Sequence, residues 1–405
     1  MVNDQRRINV RQVIRQAWLW TIVFMSDRSI KAQNGPDPRA QALIGAYMRA
    51  GYARIDPPVL QPAEPFLDLS GEDIRRRMFL TTDPQGREMC LRPDLTIPVS
   101  RAYLQSAAAG KPAGFCYLGA VFRHRPGASA EFLQVGIESF GRQDKAAADA
   151  EMLALGIEAT AQYGVNAPEI RIGDVGLFAV FIGALDLAPA WKRRLIKDFN
   201  RKSSLKHDLN QLTLAAADNR PEYQGVLAAL AGSDPKAAHH LVTDLLSIAG
   251  IATVGGRTVA EIADRFLEQA TLNAPTRLPR ETRALIERFL SIAGDPDDAA
   301  GELRALAAEA KISLSQALDL FETRTGFLAA RGVDVRATTF ATAFGRGFDY
   351  YTGFVFELQD AGGKNALVAG GRYDGLLTRL GAREAIPAVG FAASIDELTA
   401  AGDVR

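Results

Sequence analysis

The alternation of apolar and polar positions predicts one β-strand before and one β-strand after a glycine-flanked arginine. Between Thr338 and Gln359 the sequence reads TTFATAFGRGFDYYTGFVFELQ. Both ends of this stretch alternate with the period of two that places side chains on opposite faces of a strand. The glycines around Arg346 let the backbone bend or approach a ligand closely, and the arginine can offer a planar fork to a carboxylate or phosphate. An edge hairpin with an exposed arginine is the alternative interpretation.

A second pair of predicted strands carries polar residues on one face. These strands are FCYLGAVF at 115–122 and EFLQVGIESF at 131–140. In the second strand Gln134, Gly136 and Glu138 share a face. Two polar side chains beside a glycine indicate a polar pocket with room left by the glycine. A solvated outer face would give the same spacing.

An aspartate and a threonine follow a predicted hairpin, which is formed by residues 78–83 and 87–91 around a Pro-Gln-Gly turn. Asp94 and Thr96 are two residues apart and point the same way, so together they could hold an ammonium group. The competing interpretation is that Asp94 caps the N-terminus of the helix that follows.

The period of the apolar positions changes near residue 187. From there to about residue 330 nearly every segment has the period of an amphipathic helix. We therefore predict four regions: a poorly ordered arm at 1–35, a first core part at 36–186, a mostly helical insertion at 187–332 and a second core part at 333–405. The apolar run AWLWTIVFM in the arm has nine residues, which is too short to cross a membrane.

Equal numbers of acidic and basic residues argue against nucleic acid as the main partner. Lysine plus arginine and aspartate plus glutamate each total 47, so the chain has no bulk positive field. Cys90 and Cys116 lie among apolar neighbours and form no disulfide framework, while four scattered histidines suggest no metal cluster. We expect a cytoplasmic protein with no metal or other cofactor, no membrane association and no nucleic-acid partner.

Four separated segments together resemble the catalytic core of histidyl-tRNA synthetases. These segments are LRPDLT (91–96), FRHRPG…EFLQVGIESFG (122–141), RGFDYYTG (346–353) and GGRYDGL (370–376). The PAVGFA stretch (387–392) resembles the start of that family's third class II motif. The resemblance covers about residues 36–400. It implies an α+β class II synthetase-like core, with an antiparallel six- or seven-stranded sheet flanked by helices, a helical insertion and dimerisation through the first motif.

In that family the corresponding pocket binds free histidine, and the resemblance implies a role for each matching residue here. The implied histidine-binding residues are Asp94, Thr96 and Gln134 at the α-ammonium group, Glu138 and Tyr350 at the imidazole nitrogens, Arg123 and Arg346 at the carboxylate, and Tyr351 as a wall. A zwitterion with a two-nitrogen ring needs acceptors at one end and cationic donors at the other. Asp94 departs from the family, which usually has the longer glutamate there.

Three departures from the family imply that ATP and tRNA recognition are lost. Glu397 stands where the third motif has an arginine that stacks on ATP. The loop between Pro126 and Glu131 is short and lacks another arginine that meets ATP. The sequence also stops at Arg405 with no anticodon-binding domain.

A chain with a histidine pocket but these departures resembles the synthetase-like regulatory subunits of ATP phosphoribosyltransferase. That resemblance implies a non-catalytic chain that does not charge tRNA and forms a homodimer within a hetero-oligomer. It further implies that a short catalytic subunit needs this chain in the first step of histidine biosynthesis, and that bound L-histidine gives feedback inhibition. The alternatives are a free-standing histidine sensor or scaffold and a divergent histidyl-tRNA synthetase.

Overall fold

The computed structural model describes residues 37–69, 72–213 and 278–403, together with positions 240, 244, 248, 253–254 and 257–258. The N-terminal arm predicted at 1–35, with its apolar run, lies outside the described residues. Most of residues 214–277, which belong to the insertion predicted at 187–332, lie outside them as well. Among the helices that are described, none is both long and apolar enough to cross a bilayer.

A mixed sheet of nine strands runs through the described residues. In spatial order its strands are β1 Ala53–Arg54, β5 Ala113–Phe122, β6 Glu131–Phe140, β14 Ala388–Ser394, β13 Ala366–Arg372, β12 Phe354–Gln359, β7 Glu169–Asp174, β11 Thr339–Ala341 and β10 Ala293–Gly294. The six strands from β5 to β7 in this order are antiparallel. The predicted antiparallel sheet is thus the centre of a wider one, because β1 adds to β5 and β11 adds to β7 in parallel.

Helices flank this sheet, and two apolar clusters lie on its two faces. The described helices are α1 Pro38–Arg49, α2 Glu64–Leu69, α3 Glu72–Arg75, α4 Thr96–Leu104, α5 Lys145–Gln162, α6 Val175–Ala184, α7 Pro189–Lys197, α8 Lys202–Thr213, α9 Arg280–Ser291, α10 Pro296–Ala310, α11 Ser315–Ala330, α12 Leu376–Arg379 and α13 Ile395–Gly402. In β5 Cys116 belongs to the larger cluster and Tyr117 to the smaller one. This division follows from the alternation of side chains along a strand.

The first predicted hairpin belongs to a separate three-stranded sheet. Its strands are, in spatial order, β2 Leu60–Pro62, β4 Glu88–Leu91 and β3 Phe79–Thr82. Strands β3 and β4 are antiparallel, and Gly86 in the turn between them has a φ of +79°. The hairpin predicted from residues 78–83 and 87–91 is confirmed, because its alternation and its turn residues act locally.

The two strands predicted between Thr338 and Gln359 do not form a hairpin. Strand β7 lies between β11 and β12 and pairs with both. On its other side β11 pairs with β10, and next to this pairing the N–H and the hydroxyl of Thr342 each donate to the Ile292 carbonyl at 3.1 Å. The edge-hairpin interpretation of this stretch is therefore wrong.

The described helices between residues 187 and 332 share the apolar core of the sheet. Phe181 of α6 stacks on Phe289 of α9 with ring centroids 4.4 Å apart. Trp191 of α7 and Leu318 of α11 belong to the same buried cluster as Phe356 of β12. These helices thus contribute to one continuous core with the sheet, and the region boundary near 187 stays a prediction.

A buried network of ion pairs ties the helices to the sheet. Arg324 of α11 is 2% exposed and donates to Asp174 at the end of β7, with distances of 2.6 and 2.8 Å. Arg372 of β13 donates to Asp149 of α5 at 2.8 Å. The Asp149 carboxylate also lies 3.8 Å from Arg324, which joins the two pairs. Because each charge is buried, removal of one partner leaves another charge without compensation.

The substitution Arg324→Met should therefore lower the free energy of unfolding by about 3–5 kcal/mol, as expected when one partner of a buried ion pair is removed. Chemical denaturation followed by circular dichroism measures this change. Arg304→Met is the matched control, since Arg304 pairs with Glu322 at 2.7 Å on the surface, and it should have a far smaller effect. Equal effects of the two substitutions would contradict a stabilising role for the buried network.

Candidate functional site

The candidate site is a cavity of about 220 Å³ beside strands β6, β13 and β14. Seven of the eight residues that the sequence singled out line this cavity. They are Asp94, Thr96, Arg123, Gln134, Arg346, Tyr350 and Tyr351. The eighth, Glu138, does not line the cavity and has no exposed surface.

Different elements bring these side chains together. The chain just before α4 supplies Asp94, and Thr96 is the first residue of that helix. Arg123 follows the end of β5, and Gln134 lies within β6. The remaining three come from the loop between β11 and β12. The pocket therefore exists only when the halves of the chain before and after the predicted insertion are folded together.

The two carboxylate oxygens of Asp94 have different surroundings. Its Oδ1 accepts a hydrogen bond of 3.1 Å from the Ile97 N–H, as a helix cap does. Its Oδ2 is buried and has no hydrogen-bond partner among the described residues. Burial raises the pKa of Asp94 to about 6, although the Ile97 N–H and the Arg123 charge oppose the rise. The carboxyl is still mostly ionised at neutral pH.

Five buried polar atoms of the cavity residues lack a hydrogen-bond partner within the described part of the chain. They are Asp94 Oδ2, Gln134 Oε1, Arg123 Nε, Arg346 Nε and Ser394 Oγ. A buried polar group without a partner costs about 1–3 kcal/mol, so such groups seldom accumulate without a reason. Two acceptors and two charged donors in one cavity suit a ligand that has both an ammonium group and a carboxylate.

Arg346 is oriented by a carboxylate that the sequence analysis did not identify. Its Nη1 pairs with Glu357 of β12, whose other oxygen accepts from Gln359 Nε2 at 3.0 Å. In the same loop Asp349 pairs with Arg201, between α7 and α8, at 2.5 Å. These contacts tie the loop to β12 and to the α7–α8 segment, and Arg346 lines the cavity.

The Glu138 carboxyl is bound by the protein's own hydroxyl groups. Thr96 Oγ1 donates to it at 2.7 Å and Tyr117 OH at 3.1 Å, and Tyr373 OH donates to its second oxygen. Burial raises the pKa of Glu138 to about 8, and the three hydroxyl donors oppose that rise. Gly390 on the adjacent strand is required here, because a Cβ at this position would collide with Glu138 Oε2.

The room predicted at Gly136 is occupied by the protein. Tyr117 is paired with Gly136 across the hairpin, and a Cβ at Gly136 would collide with its hydroxyl and with the Phe391 carbonyl. The glycine therefore admits a tyrosine that binds Glu138, rather than a ligand. The register of the β5–β6 hairpin could have indicated this contact between Tyr117 and Gly136, since residues paired across two strands share a face.

Aromatic rings form part of the cavity wall. Tyr350 stacks on Phe348 with ring centroids 5.0 Å apart and lies 4.9 Å from the Tyr351 ring. Phe132 and Ser394 also line the cavity, although the sequence analysis identified neither. Ser394 is paired with Gln134 across β14 and β6, a pairing between strands far apart in the chain.

The fold is that of a class II aminoacyl-tRNA synthetase catalytic core. A sequence model of the histidyl-tRNA synthetase family matches residues 37–266 and 237–398. ATP phosphoribosyltransferase regulatory subunits from Brucella canis and Brucella suis are 43% identical to this chain over 350 residues, which is 85% of this chain and 92% of theirs. The chain therefore belongs to the family of ATP phosphoribosyltransferase regulatory subunits, which is histidyl-tRNA synthetase-like.

Two solved structures share this fold. One is described as an ATP phosphoribosyltransferase regulatory subunit/histidyl-tRNA synthetase from Bacillus halodurans; it has a TM-score of 0.62 and 23% identity and covers 90% of this chain and 77% of its own. The other is a histidine–tRNA ligase subunit from Alicyclobacillus acidocaldarius, with a TM-score of 0.55 and 26% identity over 93% of this chain and 97% of its own. At 23% identity, the similarity to the Bacillus halodurans structure shows a shared fold only.

The buried Glu138 should make the stability of this protein fall as the pH rises. Its carboxyl titrates near 4.5 when unfolded and near 8 when folded, so between these values the folded state binds more protons. The stability that the protonated group contributes is complete below pH 4.5 and lost by about pH 8, with a slope of up to about 1.4 kcal/mol per pH unit.

Glu138→Gln should remove that slope, because glutamine does not titrate. Denaturant titrations at steps from pH 5 to pH 8.5 give the free energy of unfolding of both proteins, and other groups cancel in the difference. A difference that stays constant between pH 6 and pH 8 would show that Glu138 ionises normally in the folded protein.

Proposed function

We propose that this chain is a non-catalytic regulatory subunit that binds free L-histidine in the cavity and controls a short catalytic subunit of ATP phosphoribosyltransferase. The observation that carries the proposal is the set of five unpaired buried polar atoms around one cavity. The names of the curated relatives support the regulatory part of it.

The two ends of an amino acid find complementary groups in the cavity. Asp94 Oδ2 and Gln134 Oε1 are free acceptors for an α-ammonium group, and Asp94 adds a negative charge. Arg123 Nε and Arg346 Nε are free donors for a carboxylate. Burial lowers the pKa of Arg123 only to about 10, so it remains a cation. Charge-assisted hydrogen bonds of this kind are stronger than neutral ones.

Aromatic and hydroxyl groups surround the rest of the ligand. Tyr350 and Tyr351 supply ring faces and hydroxyls for an imidazole, and Thr96 links the cavity to Glu138 through its hydroxyl. A direct contact between Glu138 and the imidazole remains part of the proposal. It requires one of the three hydroxyl partners of Glu138 to yield to the ligand.

The charges at the cavity mouth support a non-catalytic role. Glu397 lines the cavity, and the neighbouring Asp396 lies within 3.6 Å of Arg125. Neither carboxylate can supply the cationic contact that a triphosphate requires. The chain is therefore not expected to form an aminoacyl adenylate or to charge tRNA.

An exposed apolar row supports the homodimer. Leu60, Leu91 and Phe79 are paired across the small sheet, so their side chains share one face. Leu60 is 45% exposed and Phe79 36%. Strand β3 is also an outer strand of this sheet. An apolar, uncharged edge strand of this type commonly pairs with another chain, and a second copy presents the same surface.

Calorimetry should show L-histidine binding with a Kd on the order of 1 μM, which corresponds to about −8 kcal/mol. Asp94→Asn should weaken binding by about 2 kcal/mol or more, since it removes the charge opposite the ammonium group but keeps an acceptor for the Ile97 N–H. Asp319→Asn, at an exposed acid of α11, is the control and should bind normally. Unchanged affinity in Asp94→Asn would place the histidine site elsewhere.

Mixed with a short catalytic subunit, this chain should form a larger complex and switch on phosphoribosyltransferase activity, which histidine then inhibits. Gel filtration and an activity assay with and without histidine measure both effects. The Asp94→Asn variant should assemble and activate, yet need more histidine for inhibition. A catalytic subunit that alone is fully active and fully histidine-sensitive would refute the regulatory role.

A further inference from the structure

One arginine at the mouth of the cavity is held from several sides. The Arg125 guanidinium lies 3.9 Å from the centre of the Phe132 ring, and its Nε donates to the Ser129 carbonyl at 2.8 Å. Its Nη2 and Nη1 lie 3.6 Å from Asp396 and 3.8 Å from Glu397, at the start of α13. Arg125 thus connects the β5–β6 loop to α13. Arg125, Phe132 and Glu397 all line the cavity, and because the Glu397 side chain is 36% exposed, this contact lies where the cavity meets the surface.

The position of Phe132 relates this contact to the proposed carboxylate end of the ligand. The guanidinium groups of Arg123 and Arg125 lie 5.0 and 3.9 Å from the Phe132 ring. Arg123 lines the cavity, and its Nε is buried without a hydrogen-bond partner among the described residues. A ligand extended beyond its carboxylate would therefore meet Arg125 and the acids of α13.

We propose that Arg125, held between Phe132 and the carboxylates of Asp396 and Glu397, is a gate that limits the pocket to a single free amino acid. The gate rests on the proposed function for the identity of the ligand. Closed, it covers the outer part of the cavity and leaves no passage for a group attached to the carboxylate. Arg125 is the residue that determines the size of the ligand.

The contacts of the gate are suited to opening. Both ion pairs are longer than a hydrogen bond, and the Asp396 and Glu397 side chains are 51% and 36% exposed, whereas that of Arg125 is 20% exposed. Ion pairs with such exposed partners are weak and are readily exchanged for water. An amino acid can thus enter when Arg125 swings away with its short loop, and the pocket closes again behind it.

A buried serine gives a readout that does not depend on any ligand. Ser394 lines the cavity, its Oγ is buried, and it directly precedes α13. In a Ser394→Cys protein the new thiol should react slowly with a small thiol reagent, because the gate covers it. The natural cysteines, Cys90 and Cys116, are fully buried and give a low background.

Arg125→Ala should accelerate labelling of the Ser394→Cys thiol by at least about tenfold, which corresponds to about 1.4 kcal/mol of opening free energy. The double variant Asp396→Asn with Glu397→Gln keeps Arg125 and removes its partners, so it should also accelerate labelling. Arg304→Ala, at a surface ion pair on α10, is the control and should leave the rate unchanged. Equal labelling rates in the Ser394→Cys protein with and without Arg125→Ala would contradict the proposal that Arg125 covers the cavity.

Calorimetry with three ligands tests the size limit itself. The unmodified chain should bind L-histidine far more tightly than the dipeptide histidyl-glycine, and Arg125→Ala should reduce this preference by about tenfold or more. Histidinamide loses the carboxylate charge without gaining length, so its affinity relative to histidine should not respond to Arg125→Ala. If the unmodified chain binds histidyl-glycine as tightly as L-histidine, the proposal that Arg125 limits the size of the ligand is wrong. If it binds neither, the proposed histidine pocket fails, while the labelling rates still decide whether Arg125 closes the cavity.

Discussion

The structure depends on the two neighbouring side chains of Arg372 and Tyr373, which anchor opposite faces of the central sheet. Arg372 binds the buried carboxylate of Asp149 on α5, and through Asp149 it joins the network that holds α11. Tyr373 reaches the other way and donates to the buried carboxyl of Glu138. A buried carboxyl group is tolerable only with partners. A shift of β13 would therefore leave Asp149 on one face and Glu138 on the other each without one of its partners.

The need of buried carboxyl groups for partners also explains why polar side chains near the pocket are held in place by hydrogen bonds. Glu138 is bound by three hydroxyl groups, and through them it fixes Thr96 and Tyr373, which line the cavity. Asp94 and Arg123 lie above it with free polar atoms. Fixed groups of this kind are already oriented before a ligand arrives, so less ordering is required on binding.

Charged side chains of both signs meet where α13 borders the cavity. Glu397 and Asp396 bring two negative charges to the start of α13, and Arg125 spans the opening between them and Phe132. A synthetase-like core is thereby combined with a cavity lined by both acidic and basic side chains. The loop that carries Arg346 is in turn held by Arg201, between α7 and α8, so the helical region and the pocket are in direct contact.

The local elements and most of the residues that line the cavity were predictable from the sequence. Alternation alone predicts β6 with its observed bounds, Glu131–Phe140, because the period of a strand depends on adjacent residues. Seven of the eight singled-out residues line one cavity, since the motifs that carry them are specific. Asp94 is both a helix cap and a pocket acceptor, and local sequence contained both possibilities.

The tertiary structure alone decided how these parts meet. The bond between Tyr373 and Glu138 joins residues 235 positions apart, and that between Arg372 and Asp149 joins residues 223 apart. No local period records such pairs, because they depend on which strands become neighbours in the sheet. For the same reason the pairing of β7 with both β11 and β12, and the closure of Arg125 on α13, could not be predicted. The sequence by itself therefore determined which side chains are available, and the packing of distant strands determined which of them line the cavity and which bind one another.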